Sequence, residues 1–238
     1  KRQAVDRRIQ VGCAYSGLLG GGLIGIGLLA VARIVPAPSA AWNAGQIASY
    51  FGSNQDQLRA GLLLAMAGVP LMLPMLVLIS LLLKRSDPRV APLAYTQLVA
   101  GATFMMLFLI PVLLWGVAAF RPDRSPASTQ TINDIASTIF YWGVSPGVVE
   151  CAAMGLAVLL DRSERPLFPR WVGYVDLAVA VAYAGGAPAI FVKTGAFGWD
   201  GLFSLWLPFA AFSVWLAVTF FSCVKAVDTA PEVAPAPA

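Results

Sequence analysis

Charged side chains fall in short clusters along this chain, and between them apolar residues run almost unbroken over 11–34, 60–83, 92–120, 145–160, 171–192 and 201–224. A helix of about 20 apolar residues crosses a bilayer core. A backbone in lipid must satisfy its own N–H and C=O groups, so runs of this length predict transmembrane helices. The expected fold class is all-α: a polytopic membrane bundle of six transmembrane helices in one domain, residues 1–228. Between the spans, Trp42–Phe51 and Ser128–Trp142 predict short amphipathic helices at the outer surface. The Pro- and Ala-rich residues 229–238 are expected to be a disordered tail.

Composition agrees with this pattern. The chain is 58% hydrophobic and 12% charged, with a mean hydropathy of +0.75, whereas soluble chains carry roughly a quarter charged residues. Lys1, Arg2, Arg7 and Arg8 precede the first run, which exceeds the roughly 7–15 residues of a signal-peptide core and is expected to persist as a helix. Of the 16 Lys and Arg, 11 fall on the side of the first segment and five on the other. This asymmetry predicts both termini in the cytoplasm. The net charge of +4 is spread over helix ends rather than one broad face, so lipid headgroups are the expected partners and nucleic acid is not.

Within the runs, Gly17, Gly21 and Gly25 repeat every fourth residue and predict a helix face on which another backbone packs closely. Pro70 and Pro74 interrupt the second run. A weak repeat recurs about every 80 residues: Tyr15-Ser16-Gly17-Leu18, Tyr95-Thr96-Gln97-Leu98 and Tyr174-Val175-Asp176-Leu177 each open an odd-numbered helix. Three sequential hairpins of one topology would produce it.

The chain has no histidine, which removes imidazole-ligated haem, histidine metal sites and histidine acid–base chemistry. Cys13, Cys151 and Cys223 are far apart and odd in number, so they read as small buried hydrophobes. No cofactor or metal is expected. Glu150, inside the fourth run, is the first candidate for chemistry, because an intramembrane carboxylate costs several kcal/mol unless paired, protonated or wet. It is a proton donor or acceptor, an anchor for a polar group, one end of an interhelical hydrogen bond, or a residue at the outer interface. Asp176 reads as an ion-pair partner of Arg170, and Gln97 as a hydrogen bond across the bundle or a ligand contact. At the outer face Arg59, Arg121, Asp123, Arg124, Asn133, Asp134, Lys193, Thr194 and Asp200 form either a salt-bridged cap or a mouth where Asp134, Glu150 and Lys193 converge. Catalytic candidates are thus Glu150, Asp134 and Asp200; ligand-binding candidates are Glu150, Lys193, Asn133, Trp199, Trp206 and Gln97. Most tryptophans sit near span ends, as an aromatic belt would place them. Trp206 and Trp215, with Phe203, Phe209 and Phe212, are alternatively the lining of an apolar pocket.

The stretches FRPDRSP (Phe120–Pro126), FPRWVGY (Phe168–Tyr174) and FVKTGAFGWDGLFSLW (Phe191–Trp206) resemble those of a family of uncharacterised bacterial six-helix integral membrane proteins. AWNAGQIASYF (Ala41–Phe51) and AYTQLVAGA (Ala94–Ala102) extend the resemblance over most of the chain. It implies a six-helix fold in a bacterial cytoplasmic (inner) membrane, and an association with lipophilic compounds. Near Asn133–Ala136 the chain departs from that pattern, being less bulky than the relatives. Three functions fit these residues: binding or transport of a lipophilic small molecule within the bilayer; a metal-free acid–base enzyme (isomerase, cyclase or hydratase) on a hydrophobic substrate; or an accessory or scaffold subunit. A homo-oligomer or larger membrane complex fits any of them.

Overall fold

The computed structural model describes residues 2–121 and 123–229. Six helical spans are long and apolar enough to cross a membrane: Asp6–Val31, Gln55–Ser86, Pro88–Phe120, Pro126–Leu160, Arg170–Ile190 and Leu202–Thr229. No strand occurs among the described residues. Of the tail, Thr229 closes the last helix, and residues 230–238 lie outside the described residues.

The first span is α1 (Arg2–Gly25), continued by a π-helical stretch, Ile26–Val31. Next come α2 (Ala44–Ser53), α3 (Gln55–Ser86), α4 (Ala91–Phe120), α5 (Pro126–Trp142), α6 (Ser145–Leu160), α7 (Arg170–Ala184) and α8 (Leu207–Thr229). Each span packs on its neighbour in sequence: α1 on α3, α3 on α4, α4 on α6, α6 on α7 and α7 on α8. Contact between α8 and α1 then closes the set into a ring. Antiparallel helices packed in sequence order give this arrangement without any chain crossing, the longer connection after the first span carrying α2.

Small residues set the closest approaches. A Cβ added at Gly20 would lie 2.6 Å from the Gly68 carbonyl oxygen, and one at Gly68 would lie 2.5 Å from that of Gly20. Gly27, in the π-helical stretch seven residues after Gly20, and Gly61, seven residues before Gly68, oppose one another in the same way. The predicted face of Gly17, Gly21 and Gly25 is therefore corrected. Gly17 meets the Met75 side chain, Gly21 meets Leu216 of α8, and Gly25 has open space beside it. The backbone seam between α1 and α3 has a seven-residue spacing, which keeps one stripe of each helix in register over two turns. Gly155 and Gly173 repeat this reciprocal contact between α6 and α7, at 2.8 and 2.9 Å.

At the end of the ring that holds both termini, polar groups knit the loops together. Asp87 is buried; it accepts from the Arg89 N–H (3.0 Å) and the Arg162 N–H (3.1 Å) and pairs with the Arg89 guanidinium at 2.9 Å. Arg89 above all, with these two N–H groups, holds the Asp87 carboxyl well below the usual carboxylate range. Ser86 donates to Asp161 and accepts from the Leu167 N–H at 3.0 Å, joining the α3–α4 turn to the α6–α7 loop. The exposed Arg7–Asp228 pair (2.7 Å) sets the start of α1 against the end of α8.

At the opposite end the expected salt-bridged cap is replaced by helix capping. The one ion pair there among the described residues is Arg59–Asp56, at 3.6 Å. Arg59 Nη2 donates to the Ala119 (2.9 Å) and Phe120 (3.0 Å) carbonyls, and Arg124 Nη1 to that of Val117 (3.2 Å). The last carbonyls of α4 have no intrahelical partner and carry the negative end of the helix dipole, which is why two cations settle there. α2, opened by a reciprocal Asn43–Gln46 capping box, buries Ile47 and Phe51 and packs on α5.

Two elements differ from their sequence-based bounds. The fourth span is a broken helix in which α5 joins α6 through Gly143 and Val144, so the predicted surface helix is continuous with the span. The fifth helix ends at Ala184 rather than at Val192. Gly185 and Gly186 follow, and then Pro188, which cannot donate to a continuing helix, opens a 3₁₀ turn over Ala187–Ile190.

Candidate functional site

Inside the ring lie two adjoining features, one apolar and one polar. The apolar feature is a cavity of about 70 Å³ whose walls include Phe104, Phe108, Phe140, Tyr141, Tyr183 and Phe212. Every span contributes to it except the second. α4 presents Phe104, Met105 and Phe108 on one face, and the break after α5 presents Val144. Gly147 makes room for this arrangement, because a Cβ there would lie 3.0 Å from the Phe104 ring. Phe104 packs in turn on Tyr183, with ring centroids 5.6 Å apart. Ser204 supplies one hydroxyl to the wall, held by donation to the Phe197 carbonyl at 2.8 Å. A groove of about 250 Å³ between α1 and α8 runs beside Gly21, Gly22 and Gly25. Phe209 and Phe212 line both spaces, so groove and cavity meet at this pair of rings.

The polar feature lies about two turns from Tyr183 along α7, at Asp176. Asp176 (1% exposed) lies near Glu150 of α6 (3%), with Gln97 of α4 (0%) beside Glu150 and Trp215 of α8 beside Asp176. Gly101, one turn after Gln97, leaves space for the acid: an added Cβ would sit 2.8 Å from the Glu150 carboxyl. The contacts are proximities rather than completed hydrogen bonds. Glu150 Oε1, Asp176 Oδ2, both amide atoms of Gln97, Trp215 Nε1 and Thr219 Oγ1 are enclosed without a partner. No basic side chain pairs with either acid among the described residues. The expected Arg170–Asp176 ion pair is therefore absent: Arg170 is exposed at the start of α7, while Asp176, almost two turns deeper, points into the ring.

The predicted site residues separate into groups. Glu150 and Gln97 come together. Asp134, half-buried on α5, has Asn133 and Lys193 as its polar neighbours, and Asn133 is fully buried with both amide atoms unpartnered. Trp199 stacks on Tyr141 (5.9 Å, 18°) and so backs the cavity wall, with the exposed Asp200 near the same tyrosine. Trp206 is exposed on the outside of the bundle. Asp134 and Lys193 form their own neighbourhood, distinct from the one Glu150 shares with Gln97 and Asp176. Of the proposed aromatic pocket, Phe209 and Phe212 line the cavity, whereas Phe203 and Trp206 are exposed and Trp215 turns toward Asp176. Sequence reasoning missed Asp176, Tyr183 and Thr219 as members of this region. For Asp176 a signal existed, since it occupies the repeat position that Gln97 holds in α4.

No known protein family, curated protein or solved structure matches the chain.

Proposed function

We propose that this multi-pass membrane protein binds a lipophilic small molecule in the aromatic-walled cavity, reached from the bilayer through the groove between α1 and α8. The carrying observation is the shared Phe209–Phe212 partition: a lipid-facing groove on one side, an apolar cavity on the other. A ligand taken from lipid needs no polar entrance, and the cavity wall offers only hydroxyls to orient it. Size narrows the class. Benzene occupies a cavity of about 150 Å³, so a space of about 70 Å³ suits a slender alkyl or polyprenyl segment, or a larger group admitted when Phe212 swings aside. None of the cavity's lining residues is an acid, which favours binding over acid–base turnover. The asymmetry of Lys and Arg and the sequence resemblance support a bacterial inner membrane with both termini cytoplasmic.

Native mass spectrometry of protein extracted in mild detergent tests this reading. Wild type is expected to carry a stoichiometric small hydrophobe that Val144→Trp, which fills the cavity from the α5–α6 break, does not. A folded wild type without such a molecule, or a filled variant that retains it, contradicts the proposal.

A further inference from the structure

The polar cluster behind Tyr183 is not used by the reading above. Six enclosed polar atoms from Gln97, Glu150, Asp176, Trp215 and Thr219 have no partner, although buried polar groups are ordinarily satisfied. Two are carboxylate oxygens, acceptors only when ionised; Trp215 Nε1 and Gln97 Nε2 are donors only. Two negative charges in a membrane interior with no cation beside them cannot both persist, because each is strongly disfavoured by desolvation and by the other. Metal ligation is a poor solution. N–H donors face the carboxyls, and no group of three or more His, Cys, Asp or Glu side chains stands together among the described residues.

We propose that Glu150 and Asp176 form one proton-binding site that holds a single exchangeable proton inside the ring, with Gln97 as the neutral donor beside Glu150 and Trp215 as the neutral donor beside Asp176. One carboxyl then holds the proton while the other stays ionised, and each acid has one neutral N–H donor beside it, Gln97 at Glu150 and Trp215 at Asp176. No bond other than O–H forms or breaks. The remaining titratable groups that face the pair are Cys151 from α6, Tyr183 from α7 and Cys223 from α8. α4 offers Gln97, and α3 offers Leu76 beside Gly101. Thiols and phenols are neutral at pH 7, so the proton is the only positive charge supplied to the site. Tyr183 lines the cavity and is the titratable cavity residue nearest in the fold to both acids, so it stands between the proton site and whatever the cavity holds. The proton site stands whether or not the cavity binds a ligand.

Infrared spectroscopy of the protein in liposomes at pH 7 tests it. The expected result is the C=O stretch of about one protonated carboxylic acid, shifted in D₂O, displaced by ¹³C-carboxyl labelling of either glutamate or aspartate, and lost in Glu150→Gln/Asp176→Asn. Absence of that band from wild type overturns the proposal, and so does a band moved by neither label. A band that disappears when sodium replaces choline at fixed pH overturns it too, in favour of a metal-cation site. Should the double variant not fold, the labelled wild-type spectra still decide. Val144→Trp is expected to keep the band, which separates failure of the cavity from failure of the proton site.

Discussion

Between α1 and α3 the third position of the Tyr-x-x-Leu repeat is Gly17, packed on Met75; in α4 and α7 the same position carries Gln97 and Asp176, enclosed and without partners. All three face inward, while Tyr15, Tyr95 and Tyr174 all lie exposed. One register thus serves two ends. In the first hairpin it seats Gly17 on the Met75 side chain, three residues before the Gly20–Gly68 backbone contact, where dispersion and short interhelical distances hold lipid-embedded helices. In the other two it delivers polar groups into the enclosed interior of the ring. A glycine at the repeat position makes scaffold; a polar residue there makes a site.

The comparison breaks most visibly at the seam. Gly68→Val drives a side chain into the Gly20 backbone and is expected to cost about 3 kcal/mol, or to prevent folding. Gly25→Val, which has open space, should change stability by under about 0.5 kcal/mol. Thermal unfolding in detergent reads both, and equal effects would dissolve the distinction between the two glycines. At the polar cluster the sign reverses. Neutralising both acids, Glu150→Gln/Asp176→Asn, is expected to raise stability by roughly 1–2 kcal/mol, because uncompensated buried charge is removed. A large loss would mean that the pair is structural.

A smaller effect sharpens the same region. Gly101→Ala presses on the Glu150 carboxyl and should cost about 1 kcal/mol, a penalty relieved in Gly101→Ala/Glu150→Ala. Additive losses would show that the two residues do not touch. The smallest expected effect lies outside the membrane, at Asp87. Its carboxyl is held below its ordinary value when folded, so its contribution is present above the unfolded-state pKa of about 4 and is lost as pH falls below it. Melting temperatures of wild type and Asp87→Asn should therefore differ at pH 6, and the difference should begin to shrink only below about pH 4 and vanish as pH falls through the lowered folded-state value.

The apolar runs announced the six spans because helix and membrane impose the same requirement on twenty consecutive residues. Interior placement was harder to read. Glu150 and Gln97 drew attention as polar residues in apolar runs, but Asp176 lay close enough to Arg170 to suggest a local ion pair, and only the direction of its side chain separates them. Tyr183, Phe104 and Phe212 look like any aromatic residues in a span. Their convergence depends on Gly147 and on the break at Gly143–Val144, which set the phase of one helix against another. The glycine seam was misassigned for the same reason. A four-residue spacing and a seven-residue spacing share a face, and partner geometry chooses between them.

A cryo-electron microscopy map of the protein in lipid nanodiscs tests the central claim most directly. The account predicts non-protein density in the cavity bounded by Phe104, Tyr183 and Phe212, continuous with the groove beside Gly21 and Gly25, and a dry, glycine-packed seam between α1 and α3. A cavity closed by collapsed aromatic side chains, with no density on either side of Phe212, would contradict it.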